Sequence, residues 1–589
     1  MDDIKKIPSS WVIADVDEFA FLIRGITYSR NDANDIPSEG FLPILRANNI
    51  QENALTFEDL VYVPKHLISE EQLIQKGDII FAMSSGSKHL VGKSAQAKTA
   101  FNGSYGAFCA LLRTVEIVSE QYISYYFLGN EFRRLISEIA KGTSINNLKR
   151  EHILFSKIPL PPLNEQHRIV SKIEELFSEL DNGVANLKLA QNQLKVYRQA
   201  LLKYAFEGKL TEQWRKENNP EPAEKLLERI KEERQQRYEQ ELKDWKAAVK
   251  VWEKDGKKGK KPGKPAKPVE FPPLSKDILD QLPNIPKGWK WIRNNDLLYY
   301  VTSGSRDWKK YYADSGAYFI RTQDIKTNRL EIENAAFVNL PENVEGKRSL
   351  VQKGDLLMTI TGANVGKVAY IKEDIPESYV SQSVALMKPV NTRVTPFLHI
   401  YFQSDVYGAK MISGLVYGVG RPVLSLENMR EAPVTICSFE EQEAIVSEIE
   451  SQFSIIDNLE KAIDSGFQKS EALRQSILKQ AFEGKLVPQD PNDEPASELL
   501  KRIQAEKKKY LEEQKHQKKR KPKNTKKMSK ELSIEEVLKT SDKPMLAKDV
   551  WQKSKHKENI EDFYKELKDI QSKIKEVKKG TESLLSLSK

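Results

Sequence analysis

The stretch Gln166-His-Arg-Ile-Val-Ser-Lys-Ile-Glu174 returns later in the chain as Gln442-Glu-Ala-Ile-Val-Ser-Glu-Ile-Glu450, and this repeat decides the fold. The same offset of 276 residues relates Ala205-Phe-Glu-Gly-Lys-Leu210 to Ala481-Phe-Glu-Gly-Lys-Leu486. Short solenoid repeats recur every ~20–50 residues, so this period indicates two copies of a whole domain with its helix. A duplicated chain is a built-in pseudo-dimer, which suits a partner with approximate two-fold symmetry.

The composition narrows the class of protein. A chain of 589 residues has room for roughly three to five domains. The mean hydropathy is −0.56, no apolar run approaches the ~18 residues of a membrane span, and Met1-Asp-Asp-Ile-Lys-Lys6 lacks a signal-peptide core. Because Cys109 and Cys437 are the only cysteines, a disulfide framework and a cysteine zinc site are excluded, and we expect a reducing cytoplasm. The net charge of +9 permits a nucleic-acid partner without demanding one.

Both halves of the chain follow one plan, a mixed globular block followed by charged helices. Gln75-Lys-Gly-Asp78 corresponds to Gln352-Lys-Gly-Asp355, and Gly92-Lys93 corresponds to Gly366-Lys367, but the blocks differ almost everywhere between these anchors. Short β-type runs separated by glycine turns fill the blocks, and an amphipathic helix is predicted over 120–139. The predicted fold class is α+β, with two tandem mixed α/β domains separated by two long antiparallel coiled-coil helices, an internal pseudo-two-fold repeat, and a small helical C-terminal appendix.

The long helices carry an apolar seam with the alternating steps of four and three that are typical of a coiled coil. About 38 residues at ~1.5 Å each give ~57 Å, which is longer than a small domain needs, so we expect the two helices to pair as a spacer. Gly208 and Gly484 stand where a C′ glycine would end each helix. The predicted seam residues are Ile169, Ile173, Leu176, Leu180, Leu187, Leu194, Leu201, Ile445, Ile449, Ile456, Leu459, Ile463, Leu473 and Ile477.

Domain boundaries follow shifts in composition. Lysine, glycine and proline dominate residues 254–275, which predicts a basic disordered linker whose main role is that of a solvated tether. The predicted segments are a first globular domain at 1–160, a helical spacer with a second charged helix at 161–253, a basic linker at 254–284, a second globular domain at 285–438, a second helical spacer at 439–515, a basic linker at 516–532 and the helical appendix at 533–589. Within the appendix, the region around Ala547-Lys-Asp-Val-Trp551 suggests a winged helix.

The sequence carries no convincing catalytic motif. A P-loop has four residues between its first glycine and Gly-Lys-Ser/Thr, whereas five separate Gly86 from Gly92, and three separate Gly362 from Gly366 in the second copy. The seven histidines do not cluster at ligand spacings, and no Asn/Asp-Pro-Pro-aromatic tetrapeptide is present. Asp78 and Asp355 are predicted to cap turns. We therefore predict no catalytic, cofactor-binding or metal site in this chain.

Two proline-bearing segments introduce the long helices and carry a family resemblance. Ile158-Pro-Leu-Pro-Pro-Leu-Asn-Glu-Gln166 returns in altered form as Ala432-Pro-Val-Thr-Ile-Cys-Ser-Phe-Glu-Glu-Gln442. With the paired Ala-Phe-Glu-Gly-Lys-Leu ends and Phe319-Ile-Arg-Thr-Gln-Asp-Ile325, this ordered set resembles the specificity subunit of type I restriction–modification systems. The resemblance covers roughly residues 1–515. The second copy departs from the family pattern by losing the Leu-Pro-Pro-Leu run, which puts the hinge geometry there in doubt.

The resemblance implies a non-catalytic subunit that recognises double-stranded DNA. Each globular domain would be a target-recognition domain that reads one half of a bipartite, asymmetric site, and the helices would set the unread gap. The same helices would dock two modification subunits, which bring S-adenosylmethionine chemistry. Restriction subunits would bring ATP- and magnesium-dependent translocation and cleavage. No cofactor is expected in this chain itself, and no membrane partner is expected.

Two matched segments supply side chains that suit base edges, Arg46-Ala-Asn-Asn-Ile50 and Arg321-Thr-Gln-Asp-Ile325. Arginine pairs with guanine, asparagine or glutamine with adenine, and aspartate can accept from cytosine; the alternative is ordinary strand-end hydrogen bonding. Lys93 and Lys367, in glycine turns, are candidate phosphate contacts. The DNA-binding candidates are Arg46, Asn48, Asn49, Lys88, His89, Lys93, Trp308, Lys309, Lys310, Arg321, Gln323, Asp324, Lys367 and Arg421.

Two other classes of function remain open from the sequence. One is a fused or type II-like modification or restriction polypeptide with its own catalytic site, which the missing methyltransferase and helicase motifs disfavour. The other is a scaffold that binds only proteins. Salt-dependent, sequence-specific DNA binding by the chain together with a modification partner would separate these classes.

Overall fold

The computed structural model describes residues 7–51, 54–84, 91–140, 148–326, 329–341, 344, 346–520, 532–541, 543–557, 559–579 and 582–588. The chain divides into two compact units, one made of Met1–Arg168 with Pro488–Lys589 and the other of Ile169–Val487. Among the described residues, no helix is both long and apolar enough to cross a membrane.

The first globular block is a set of small sheets with helices at its end. Its elements are β1 (Val12–Asp15), α1 (Val16–Phe19), β2 (Ala20–Arg24), β3 (Phe41–Leu45), β4 (Ile50–Gln51), β5 (Ala54–Leu55), β6 (Val61–Pro64), β7 (Ile79–Ala82), β8 (Ser94–Gln96), β9 (Ser104–Tyr105), β10 (Cys109–Thr114), α2 (Glu120–Leu128), α3 (Asn130–Ala140), α4 (Arg150–Leu154) and β11 (Lys157–Leu160). The main antiparallel sheet has the order β2-β10-β7-β8, beside a second sheet of order β6-β3-β9. All four residues of β7, Ile-Ile-Phe-Ala, are buried, as the continuous apolar run predicts.

The prediction of one helix over 120–139 is wrong in its continuity, because the structure has two helices there, α2 and α3. Gly129 follows α2 with extended backbone angles, φ −71° and ψ 151°, and its N–H still donates to the carbonyl of Tyr126. Glycine is a poor helix former, costing about 1 kcal/mol relative to alanine, so the helix ends where glycine interrupts the apolar pattern.

Three helices follow: α5 (Leu163–Phe206), α6 (Glu212–Asn218) and α7 (Ala223–Lys254). The second block contains α8 (Lys276–Leu279), β12 (Lys290–Arg293), β13 (Leu298–Ser303), β14 (Tyr312–Ala313), β15 (Ala317–Ile320), β16 (Ile325–Lys326), β17 (Arg329–Leu330), β18 (Ala336–Val338), β19 (Leu356–Thr359), β20 (Val368–Tyr370), β21 (Ser378–Val380), β22 (Val384–Pro389), α9 (Thr395–Tyr401), α10 (Gly408–Leu415), α11 (Leu426–Glu431) and β23 (Pro433–Ile436). Its main sheet, β13-β22-β19-β20, has the same layout as β2-β10-β7-β8, which confirms that the block is repeated. Helices α12 (Phe439–Phe482) and α13 (Ala496–Arg520) come next.

Helices α5 and α12 pack antiparallel, as predicted, and their contacts obey the repeat. Arg198 pairs with Asp457 at 2.6 Å and lies over the ring of Phe453 at 4.4 Å. At the positions 276 residues away, Arg474 pairs with Asp181 at 2.5 Å and lies over the ring of Phe177 at 4.4 Å. Each helix has 44 residues, about 66 Å at ~1.5 Å per residue. The pair therefore has a pseudo-two-fold axis through its middle.

Most of the predicted seam is correct, but two residues of α12 are not part of it. Leu459 and Leu473 are 47% and 53% exposed, while the neighbouring Glu460 and Arg474 are half-buried. A straight helix drifts by ~20° per heptad from a strict seven-residue repeat, so an apolar pattern extended over many turns loses its register. The guanidinium of Arg474 fills the seam because it stacks on Phe177. Buried or half-buried as predicted are Ile169, Ile173, Leu176, Leu180, Leu187, Leu194, Leu201, Ile445, Ile449, Ile456, Ile463 and Ile477.

The start of each long helix is tied to the fold by a buried glutamate. Glu165 accepts hydrogen bonds from the indole of Trp11 at 3.0 Å and the amide of Gln489 at 3.1 Å. Glu441, its repeat equivalent, accepts from the indole of Trp289 and the hydroxyl of Thr211, both at 2.9 Å. Arg215 also forms an ion pair with Glu441. A carboxylate near a helix N-terminus is stabilised by the helix dipole.

The predicted C′ glycines are confirmed. Gly208 has φ +69° and Gly484 has φ +68°, and the Lys209 N–H donates to the Tyr204 carbonyl at 2.9 Å in the Schellman pattern. The space around Gly208 is also closed, because a Cβ there would lie 2.2 Å from Cγ of Pro286. Two separate constraints, backbone conformation and packing, therefore require glycine at residue 208.

Replacing Gly208 with alanine should lower the free energy of unfolding by more than 1 kcal/mol, since the left-handed conformation alone costs ~1–2 kcal/mol. Gly183 provides a matched control, because it lies inside α5, the helix that Gly208 ends, and a Cβ there would meet no atom within 4 Å. Gly183→Ala should raise the free energy of unfolding by about 1 kcal/mol. Urea denaturation of both variants measures the difference, and effects of the same sign would contradict this account.

In each repeat, one helix that follows the spacer covers a globular block; these helices are α7 and α13. Ala223, Leu226 and Ile230 of α7 are buried in the core of the unit Ile169–Val487, and Glu241 of the same helix accepts a hydrogen bond from the Tyr299 hydroxyl at 2.5 Å. In the other unit, the α13 residues Ala496, Leu499 and Ile503 are buried, and the Ala496 N–H donates to the Ser10 carbonyl at 3.0 Å. Each block is thus covered by an equivalent helix, although α13 follows its block by more than 300 residues.

The basic segment 255–275 has no helix or strand, but it is not a free tether. The indoles of Trp245 and Trp252 in α7 donate to the carbonyls of Pro262 and Gly259 at 3.0 and 3.2 Å. Lys261 and Lys264 lie about 6 Å from the same indole rings. The prediction of a disordered linker overlooked the aromatic rings on α7, which hold lysine side chains by cation–π attraction. In the second predicted linker, α13 extends to Arg520, and residues 521–531 lie outside the described residues.

The C-terminal appendix combines helices with a three-stranded sheet, so its prediction as a helical appendix missed the strands. Its elements are α14 (Ile534–Lys539), β24 (Met545–Leu546), α15 (Ala547–Lys553), α16 (Ile560–Asp569), β25 (Ile574–Lys579) and β26 (Glu582–Leu587). The sheet has the order β24-β26-β25, and with three helices this is a winged-helix arrangement, as suggested from residues 547–551. Lysines occupy half of β25 and hide its strand alternation, which is why the sequence did not reveal the sheet.

Candidate nucleic-acid interface

The two matched Arg-x-Asn/Gln-Asn/Asp-Ile segments form the same tight turn in both blocks. Asn49 is buried, accepting from the Arg46 N–H at 2.9 Å and donating to the Glu58 carbonyl at 2.8 Å. Asp324 is buried in the equivalent turn, where Oδ2 accepts from the Arg321 N–H at 2.8 Å. Both side chains cap turns, so their burial does not support the prediction that they read base edges.

The arginines of these turns are half-buried and already bonded within the fold. Arg46 donates to the Asp59 carbonyl at 2.6 Å, and Arg321 pairs with Asp324 at 3.2 Å. Asn48 and Gln323 are exposed at the turn surface. The roles of these four residues in reading DNA stay predictions. Asn48 and Gln323 have free side-chain surface, whereas each arginine would have to exchange a bond that it already makes.

The remaining predicted contacts fall into different environments. Lys93 and Lys367 are half-buried in equivalent turns, and Lys367 lines a cavity with Lys410 and Gln403. Lys309 and Lys310 are exposed. Trp308 is only 4% exposed and packs against Phe319 and Tyr379 in a separate small core, so it is a structural residue. Lys88 and His89 lie outside the described residues.

Arg421 opens onto a polar cavity of about 690 Å³ in the second block. Its other cationic wall residues, Arg306 and Arg348, were missed by the sequence analysis, as was the amide of Gln382. A sequence signal was present, because each arginine lies one or two residues after a glycine: Gly304-Ser-Arg306, Gly346-Lys-Arg348 and Gly420-Arg421. The complete lining is Ser303, Gly304, Ser305, Arg306, Arg348, Thr361, Gln382, Ser383, Arg421 and Val423.

Glycine makes the cavity possible at two places. A Cβ on Gly304 would lie 1.8 Å from the Val380 carbonyl oxygen, so only glycine lets this segment approach β21 closely. Residues 417–423 form a hairpin in which the Tyr417 and Val423 backbones exchange hydrogen bonds of 3.0 and 2.8 Å. Gly418 and Gly420 have φ +96° and +86° in this hairpin, whose exposed tip is Val419. The hairpin therefore displays Arg421 on a short, braced loop.

The repeated Lys-Gly-Asp turns carry structural carboxylates, as predicted. Asp78 accepts from the Gln75 N–H at 2.6 Å and pairs with Arg113 at 2.6 Å. Asp355 accepts from the Gln352 N–H at 2.8 Å and pairs with Lys388 at 2.6 Å. Burial raises the pKa of the Asp355 carboxyl, although Lys388 opposes this shift. Among the described residues, no group of three or more His, Cys, Asp or Glu could hold a metal ion.

Neither the cysteines nor the described glycine turn, Gly362–Lys367, has the geometry of an active site. Burial raises the pKa of the Cys109 thiol to about 12 and that of Cys437 well above its usual value, so both stay protonated at neutral pH and lack the thiolate that attacks. The turn Gly362–Lys367 leads into β20, whereas a P-loop leads into a helix whose N-terminus binds phosphate.

Comparison with known proteins agrees with the duplicated architecture. The family model described as "Type I restriction modification DNA specificity domain" matches residues 8–189 and 286–465. The type I restriction enzyme EcoKI specificity subunit of Escherichia coli (strain K12) is 29% identical over 513 residues, covering 85% of this chain and 96% of that protein. The type I restriction enzyme StySPI specificity subunit of Salmonella potsdam is 28% identical over 513 residues, with the same coverage.

A solved structure of a type I restriction–modification system, titled for its complex assembly and conformational transition, has a chain with a TM-score of 0.55. The alignment covers 82% of this chain and 99% of that one at 15% identity, which shows a similar fold. Two DNA-specificity domains, each followed by a long helix, define the class of protein. This chain belongs to the type I restriction–modification specificity family. The appendix lies outside both matched stretches.

Proposed function

We propose that this chain is the DNA-recognition subunit of a type I restriction–modification complex. Each globular block reads one half of a bipartite, asymmetric site in double-stranded DNA. Helices α5 and α12 set the unread gap and dock two modification subunits, and restriction subunits join the same complex. S-adenosylmethionine, ATP and magnesium act in those partners, and the chain has no catalytic centre of its own.

The observation that carries this proposal is the contrast between the helices and the blocks. The Arg–Asp and Arg–Phe contacts of α5 and α12 recur at the same offset, so the helix pair presents two equivalent surfaces. The blocks share a sheet layout but differ in their loops: Arg306 and Arg421 in the second block have no arginine counterparts at the two positions after Gly25 or in the first-block sequence 141–147. Equivalent surfaces suit two copies of one partner, and different loops suit two different sequences.

Apolar side chains on the outer faces of the helices support docking of the modification subunits. Tyr197 and Leu473 occupy equivalent positions and are 48% and 53% exposed. Leu189, Val196 and Ile455 are also more than half exposed. Exposed apolar side chains on the two helices suit a protein partner, because burying them against it removes apolar surface from water.

Co-production with the cognate modification subunits, followed by methylation mapping, tests the function. We expect one bipartite motif whose halves differ, with methylation lost when the chain is omitted. Methylation by the rigorously purified chain alone would support the fused-enzyme alternative. Normal complex assembly without sequence-specific, salt-dependent DNA binding would support a protein-only scaffold.

A further inference from the structure

We propose that the cavity bounded by Arg306, Arg348 and Arg421 binds guanine edges in the major groove of the second half-site. This inference rests on the proposed function and deepens it by assigning the base chemistry of one domain. We call these three residues the arginine cavity. Through the guanidinium groups of the arginine cavity, the domain at 285–438 recognises at least one G·C pair.

The arginines of this domain differ in whether they are paired within the fold. Residues 285–438 contain eight arginines. Five of them have acceptors within the fold: Arg293, Arg321, Arg329, Arg393 and Arg430. Within the described part of the chain, the three that have neither an ion-pair partner nor a side-chain hydrogen bond are the three that line the cavity. Unpaired guanidinium groups that converge on one cavity are donors available to a ligand.

The acceptors in the cavity lining favour a base edge over a phosphate. Phosphate oxygens only accept hydrogen bonds, so a phosphate needs donors alone. The lining contains Gln382, Ser303, Ser383 and Thr361, each of which can also accept. The Thr361 hydroxyl oxygen is enclosed and has no partner among the described atoms. A wall with both donors and acceptors matches a G·C edge, where guanine presents O6 and N7 and cytosine presents an amino group.

Backbone hydrogen bonds brace the segments that line the cavity. The Gly304 N–H donates to the Ser381 carbonyl at 3.2 Å, and the Gly362 N–H donates to the Pro422 carbonyl at 2.9 Å. These bonds join the segments that carry Arg306, Gln382 and Arg421 to the main sheet. Bidentate recognition of a base by arginine needs a fixed backbone, because a guanidinium group on a mobile loop could reach several bases.

Within its described residues, the first globular block does not repeat this arrangement. Gly25 makes the same close approach, since a Cβ there would lie 2.1 Å from the Gly106 carbonyl oxygen. However, Ile26 and Thr27 follow it, and Ile26 is buried. The arginine cavity is therefore a feature of one domain, and its effects should be confined to one half-site.

The test uses the full chain in complex with its modification subunits and synthetic duplexes carrying the mapped site. Arg306→Ala, Arg348→Ala and Arg421→Ala are compared with Arg329→Ala, an exposed arginine of the same domain that pairs with Glu331. We expect at least one cavity variant to bind the cognate site roughly 5- to 150-fold more weakly. Arg329→Ala should leave the affinity unchanged. Unaltered thermal unfolding of the variants shows that the loss is not one of folding.

Chemical substitution of the DNA identifies the atom that is read. Replacing guanine by 7-deazaguanine in the second half-site removes the N7 acceptor and should weaken binding of the unsubstituted complex. The same replacement should have little further effect on the responsible arginine variant. In the first half-site, 7-deazaguanine should act equally on the variants and the unsubstituted complex.

Three results would overturn the inference while leaving the proposed function intact. The first is a second half-site without a G·C pair. The second is that 7-deazaguanine in that half-site does not weaken binding by the complex with the unchanged protein sequence. The third is that a cavity variant binds all DNA sequences more weakly by the same factor and with a smaller salt slope, which marks a phosphate contact. Failure of the unsubstituted complex to bind any specific sequence would instead refute the proposed function.

Discussion

Replacing Glu441 with alanine is expected to lower the free energy of unfolding of the unit Ile169–Val487 by about 3–5 kcal/mol, the cost of leaving one member of a buried ion pair alone. The Glu441 side chain is 2% exposed and that of Arg215 is 19% exposed. The substitution would also remove the acceptor of the Trp289 indole and the Thr211 hydroxyl. Chemical denaturation monitored by tryptophan fluorescence provides the measurement.

Two further variants show whether the unpaired arginine causes the loss. Glu443 lies on the same helix as Glu441 and forms an exposed ion pair with Arg393. Glu443→Ala should therefore lower the free energy of unfolding by no more than about 1 kcal/mol. Adding Arg215→Met to Glu441→Ala should restore part of the stability, because it removes the uncompensated charge. If the double variant is as unstable as the sum of the two single changes, the arginine is not the cause.

Lengthening α5 and α12 together should enlarge the gap between the half-sites and leave both half-site sequences unchanged. Leu187 of α5 packs against Gly466 of α12, so the middles of the two helices lie opposite each other. One heptad inserted after Leu187 and another after Ile463 would therefore face each other and keep the seam. Seven residues add ~10.5 Å, about three base-pair rises, so the preferred gap should grow by about three base pairs.

Methylation mapping in cells that carry the lengthened chain measures this gap. Three base pairs also turn one half-site by roughly 100° around the duplex, so slower methylation is expected as well. The control places one heptad between Gly256 and Lys257, outside the helix pair, and should leave the gap as it was. An unchanged gap in the lengthened chain would mean that the helices only dock partners.

The sequence by itself determined the repeat, the long helices, their glycine ends and the family. These features follow from local chemistry: apolar spacing specifies a helix face, and a glycine with positive φ specifies where the helix stops. It also predicted correctly that Asp78 and Asp355 cap turns. Local spacing could not show that Arg474 rather than Leu473 enters the seam, because the partner Phe177 lies almost 300 residues away in the chain.

Only the tertiary structure decided which side chains are available to a ligand. Arg321 is the stronger of the two candidates in the sequence, but it is occupied by Asp324, whereas Arg421 shares a cavity with two other arginines that have no partner among the described residues. Burial likewise removed Trp308, Asn49 and Asp324 from the predicted surface. The physical reason is that a side chain's hydrogen-bonding capacity is shared among all its neighbours, and segments distant in the chain supply most of those neighbours. Residue type states what a side chain can bind, and the fold decides what remains free to be bound.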